Sequence, residues 1–181
     1  MNDQDIRTCE CDCSEEIQDC NCRCVCEKPR KYVKPNRTTL KCGSQVSATI
    51  PEATLTGTTF TLTTLNVNTK GYRRPCIKFD FAGNIVTTEA VFTLNFQIFK
   101  QCKGQLVPIP VGSVWTYSRL IAVTESDSFR FFSCDCNICD DECCVYSVVA
   151  TVTGILPEVN ETIGSAVINN VSLSAIIADN M

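Results

Sequence analysis

Ala90-Val-Phe-Thr-Leu-Asn-Phe-Gln-Ile-Phe-Lys-Gln101 is the stretch that decides the fold. Phe92, Leu94, Phe96 and Ile98 alternate with Thr93, Asn95 and Gln97. Apolar residues at every second position line one face of a strand, whereas a helix would scatter them around its axis. The period therefore predicts a core strand. Outward from it, Ile77, Phe79 and Phe81 alternate with Cys76, Lys78 and Asp80, and Ala82-Gly83-Asn84 reads as a turn. Downstream, Ser113–Ile121 and Ser126–Ser133 read as two strands carrying Trp115, Tyr117, Phe129 and Phe131. Cys144–Gly154 is expected to pair with the second of these, and Ile163–Ala178 ends the chain in alternation through Val171, Leu173, Ala175 and Ile177. Upstream, Leu40–Ile50 and Thr54–Asn68 are Thr-rich strand candidates separated by Pro51-Glu52.

About eight such strands with short Gly, Pro and Asn turns define an all-β fold, a two-sheet β-sandwich that is jelly-roll-like. The composition changes near Thr38, before which large apolar residues are few. Residues 1–38 are therefore expected to be an extended cysteine-rich N-terminal connector arm and residues 39–181 the sandwich domain. The arm holds seven cysteines in two runs, Cys9, Cys11 and Cys13, then Cys20, Cys22, Cys24 and Cys26, each two residues from the next within a run. In an extended strand that spacing puts the thiols along one side.

The chain has 181 residues, 15 cysteines, no histidine and a formal net charge of -4. Its length allows a real core, so the cysteines do not substitute for one. The count is odd, so complete oxidation requires at least one bond to leave the chain. Negative charge argues against nucleic acid as a partner. No long apolar run suggests a membrane span or a secretory signal. Without histidine there is no Ser-His-Asp or Cys-His pair, and no phosphate-binding loop is present, so no enzyme, cofactor or small-molecule substrate is expected.

The second cysteine cluster comprises Cys134, Cys136, Cys139, Cys143 and Cys144, at a loop between strands. Its lone CxxC lacks the distant second pair of a zinc ribbon, and four nearby acids oppose a redox role. Local or intersubunit disulfides remain open for it, as does metal. Adjacent Cys143 and Cys144 point to opposite faces of a strand. The seven arm cysteines and these five are the candidates for intersubunit disulfides. Cys42, Cys76 and Cys102, each alone near a strand end, are candidates for a local disulfide or a buried thiol.

Leu40-Lys-Cys42-Gly43, Pro75-Cys76-Ile-Lys-Phe-Asp-Phe81, Phe96-Gln-Ile-Phe-Lys-Gln-Cys102 and Ser128-Phe-Arg-Phe-Phe-Ser-Cys134 with Cys143-Cys144-Val-Tyr146 resemble an uncharacterised cysteine-rich family of anaerobic spore-forming Firmicutes. The layout of a cysteine arm before a β-domain is also similar to that of endospore appendage (Ena-like) pilins. That resemblance implies a jelly-roll subunit whose arm forms disulfides with other subunits, and assembly in a mother cell whose lysis releases the product. The expectation is a structural subunit of an extracellular or spore-surface fibre, with other copies of itself as partners. The alternatives are an intracellular cysteine-rich metal-binding protein and a non-filamentous spore-coat protein.

Overall fold

The computed structural model describes residues 8–11, 22–25, 37–43, 46–136, 143–153 and 162–179. The chain divides into two compact units, 1–35 and 36–181. In the first, β1 (Thr8–Cys11) and β2 (Cys22–Val25) pair antiparallel. Cys9 lies opposite Cys24 and Cys11 opposite Cys22 in the backbone register of this ribbon. The described part of the arm is thus a chain folded back on itself, where a single extended run was expected. Pairing the two CxC segments satisfies backbone groups that a lone strand leaves to water.

The second unit contains β3 (Thr38–Cys42), β4 (Val46–Ile50), β5 (Thr59–Asn68), β6 (Pro75–Cys102), β7 (Ile109–Asp135), β8 (Cys143–Thr153) and β9 (Ile163–Asp179). Every pairing is antiparallel. The 28-residue β6 organises them. Its first half, through Val91, pairs with β9, its second half, from Thr93, pairs with β8, and β7 follows it along the other side. One layer therefore runs β3 and β4, β9, β6, β7, and the other β5, β8, β6, β7. The fold is a two-layer β-sandwich whose layers share their two longest strands.

β6 passes between layers at residues 88–91, where its registers with β7 and β9 both shift and Glu89 takes φ 48°. Gly164 of β9 packs against this bend at φ +67°, and a Cβ there would lie 2.7 Å from the Glu89 carbonyl carbon. Only glycine permits that approach in that conformation.

The alternation that predicted β6 also builds the core. Phe92, Leu94, Phe96 and Ile98 are at most 1% exposed, while Thr93, Asn95 and Gln97 are half-buried because strands flank them on both sides. Folding β6 over brings Phe81 and Phe96 to 5.9 Å between ring centroids, and Phe129 packs tilted against Phe96 at 4.5 Å. Burying such a ring contributes about 1.5–3 kcal/mol by area alone, and an aromatic pair adds about 0.5–1.5 kcal/mol.

Four local expectations are corrected. Ala82-Gly83-Asn84 is no turn, because β7 and β9 flank it and hydrogen-bond it as strand, with a bulge toward β9. Ser113–Ile121 and Ser126–Ser133 are one strand, β7, following the same fold-over as β6. Leu40–Ile50 is divided into β3 and β4. Residues 143–153 do not pair with Ser126–Ser133, which lies beside the first half of β6 in the other layer; they pair with the second half of β6 and with β5.

Candidate cross-linking sites

Because β6 doubles back, both of its ends reach the same end of the sandwich, and two disulfides close that end. Cys76, at the start of β6, bonds Cys136, just past β7. Cys102, at the end of β6, bonds Cys144, its register partner on β8, and both are buried. Cys136 and Cys144, expected among the intersubunit candidates, are therefore spent within the chain, since the fold-over places a strand-end thiol beside each. Cys76 and Cys102 supply those partners.

Among the described residues three thiols are free. Cys42, Cys134 and Cys143 are exposed and unbonded. Cys42 departs from its expected local bond or burial, because its strand β3 is a short edge with little buried surface. Adjacent Cys143 and Cys144 divide between surface and core. Cys143 lines a shallow groove of about 360 Å³ with Lys41, Asn66, Asn68 and Val145. Cys9, Cys11, Cys22 and Cys24 occupy the ribbon, and Cys13, Cys20, Cys26 and Cys139 lie outside the described residues. Among the described residues no group of three or more His, Cys, Asp or Glu side chains is arranged to hold a metal ion.

The longest edge strand of the sandwich is β7, which pairs with β6 alone among the described strands, as β3 and β4 pair only with β9 and β5 only with β8. Its two halves face each other through Trp115 and Phe131, 5.8 Å between centroids, and through Tyr117 and Phe129 at 5.9 Å. Beyond the rings, Arg119 bonds Glu125 at 2.6 Å and also Asp127, while the Tyr117 hydroxyl donates to Asp127 at 2.7 Å. Burial first, and then the hydrogen bond to Asp127, push the Tyr117 phenol up to about 12. These side chains pack along the inner side of β7, and no described strand lies beside its outer backbone edge.

A third cluster escaped sequence reasoning. Lys100 Nζ lies 3.1 Å from Asp135 Oδ2, and the Tyr146 hydroxyl donates to the same oxygen at 3.0 Å. Lys100 and Asp135 are each less than a tenth exposed, and Tyr146 is fully buried with its ring 4.5 Å from that of Phe79. The signal was in the alternation itself. Lys100 continues the inward phase of Phe92 to Ile98, and Asp135 continues that of Phe131 and Ser133.

These features define an antiparallel β-sandwich stapled at one end by disulfides, with an open edge strand and free thiols outside its core. The chain belongs to the family described as a domain of unknown function (DUF4489), whose model matches residues 36–178. No curated protein matches it. Among solved structures it is similar to one described as CBM4 structure and function, at 15% identity, covering 71% of this chain and 70% of that one with a TM-score of 0.41. A family 11 carbohydrate-binding module from Clostridium thermocellum, in complex with a mixed-linked tetrasaccharide, shows 16% identity over 78% of this chain and 84% of its own, with a TM-score of 0.28. The infectious bursal disease virus Gx strain structure shows 8% identity over 93% of this chain at a TM-score of 0.47, and the chain spans 40% of its length.

Proposed function

We propose that this protein is a non-enzymatic structural subunit that polymerises with copies of itself into a disulfide-cross-linked fibre outside the cell, on a spore surface. The observation that carries the reading is the division of the body's thiols. The four bonded cysteines, Cys76, Cys102, Cys136 and Cys144, brace one end of the sandwich, whereas Cys42, Cys134 and Cys143 are exposed and free. Each bond within the chain uses two of the 15 cysteines, as the two among the described residues do, so an odd number remains and complete oxidation still needs a bond between chains. Disulfides are compatible with an oxidising extracellular location. No helix among the described residues is long and apolar enough to cross a membrane.

The edge of β7 is the docking surface we assign to the arm of a neighbouring copy. Edge strands are commonly blunted by Lys or Pro; β7 contains no Lys, and its one proline, Pro110, lies at the opposite end of the strand from Cys134. Cys134 stands exposed on that edge. An arm strand laid beside β7 gains main-chain hydrogen bonds. Its cysteines recur every second residue, so a slip of two residues brings another thiol opposite Cys134. Directly opposite Cα atoms in antiparallel strands lie about 4.5–5.5 Å apart, within the usual disulfide span of about 4.4–6.8 Å. Successive head-to-tail contacts of this kind give a filament.

Replacing all seven arm cysteines with serine tests the proposal. Fibres should vanish from negative-stain micrographs while the body stays folded; fibres that persist would remove the arm from assembly. A second reading rests on the ribbon register, which sets Cys9 opposite Cys24 and Cys11 opposite Cys22, thiolates of the kind that hold a soft metal ion. Elemental analysis of protein purified without added metal separates the two. Stoichiometric zinc or iron with few disulfides favours a metal-binding protein.

A further inference from the structure

We infer that Lys100 and Asp135 are the site of an intramolecular amide cross-link, formed by loss of water between the lysine amine and the aspartate carboxyl, with Tyr146 assisting. This inference goes beyond assembly and stands whether or not the chain polymerises. Lys100 comes from the second half of β6 and Asp135 from the end of β7 in the other layer, so their contact bridges the sandwich. The amine and a carboxylate oxygen are 3.1 Å apart, and both side chains are nearly sealed from solvent.

Burial makes this pairing unusual. Two charges taken out of water incur a desolvation penalty that their attraction often fails to offset, and an apolar pair of similar volume would commonly be as stable. An amide replaces those charges with one neutral dipole, so condensation removes that penalty. The arrangement also supplies what the reaction requires. Proton transfer from Nζ to the carboxylate gives a neutral amine and a neutral acid. The nitrogen lone pair attacks Cγ, the Nζ–Cγ bond forms, and the Cγ–Oδ2 bond breaks. Oδ2 leaves as water with both protons that the amine gives up. Tyr146, donating to Oδ2 at 3.0 Å, draws electrons from Cγ and steadies the departing oxygen, and it keeps its proton at the end. No oxidant or co-reactant is consumed. Holding the two groups in contact substitutes for concentration, with effective molarities of roughly 10⁵–10⁸ M for well-oriented intramolecular reactions. A dry site also disfavours hydrolysis of the product.

The cross-link falls in register with the disulfides. Lys100 is two residues before Cys102, Tyr146 two after Cys144, and Asp135 next to Cys136. One end of the sandwich would thus hold three covalent ties, of which this one survives reductant.

Intact-mass spectrometry of the full-length protein, denatured and fully reduced, tests the inference. The expected mass is lower than the sequence mass by one water molecule, and digestion should yield a branched peptide joining Lys100 to Asp135. Lys100→Arg and Asp135→Asn should each restore the full mass or, for the asparagine, replace the loss of water by loss of ammonia. Tyr146→Phe should slow the mass change in a time course after synthesis. A full wild-type mass after prolonged incubation of folded protein overturns the inference. So does a water loss traced to a linear peptide, the mark of a succinimide elsewhere.

Discussion

The bend of β6 can be tested with two glycines. Gly164 sits at φ +67°, and a methyl group there would press on the main-chain carbonyls of Thr88 and Glu89, where β6 changes layers. Gly57 sits at φ +88° with nothing within 4 Å of the same added atom. Both substitutions to alanine incur the left-handed backbone penalty of about 1–2 kcal/mol. Both also gain the same stiffening of the unfolded chain, about 0.4–1 kcal/mol. Only Gly164→Ala adds a clash, and the obstruction is backbone fixed by β9 on one side and β7 on the other, so overpacking should cost a further 1–3 kcal/mol, approximately. Urea unfolding with the disulfides intact measures the difference from the midpoints, provided the m values agree. Gly164→Ala should be the less stable by about 1–3 kcal/mol. Equal midpoints for the two variants would refute the close packing of β9 against the bend, and with it the passage of β6 between layers.

Phe96→Ala removes a ring with no solvent exposure that packs tilted against Phe81 and Phe129, and should cost about 3–5 kcal/mol in the same assay. Phe132→Ala, at a ring 56% exposed, should cost far less. Breaking the Cys102–Cys144 bond by paired serine substitution frees a loop of 42 residues, and the chain-entropy relation puts the loss near 4 kcal/mol, approximately. Tyrosinate absorbance should show one component titrating near pH 12 that Tyr117→Phe removes. The folded chain holds that proton more tightly than the unfolded one, whose phenol titrates near 10.0, so the stabilisation is present below about pH 10 and is lost as pH rises toward about 12. A Tyr117→Phe variant with the same alkaline stability profile as wild type would contradict this.

The period-two runs made the strands and their inward faces legible, from Phe92 to Ile98 and from Val171 to Ile177. Strand order was not, because antiparallel partners of β6 are separated from it by 40 residues or more for β8 and farther for β9. Ala82-Gly83-Asn84 misled because local turn chemistry yields where strands on both sides supply hydrogen bonds. Bulges let β6 and β7 turn a corner without ending, so each was read as two elements. The disulfides followed the same pattern. Spacing grouped Cys134, Cys136, Cys139, Cys143 and Cys144 by sequence, whereas the fold-over sent Cys136 to Cys76 and Cys144 to Cys102. Lys100 and Asp135 stood in apolar phase, and a charged residue in phase with a core strand was the visible sign of a buried polar cluster.

Electrophoresis of wild-type protein under denaturing conditions, without and with reductant, tests the central proposal most directly. Self-assembly through disulfides predicts a ladder, or material too large to enter the gel, that reductant collapses to a single monomer band, and Cys134→Ser should thin that ladder. A clean monomer under both conditions, from protein purified under oxidising conditions, would contradict it.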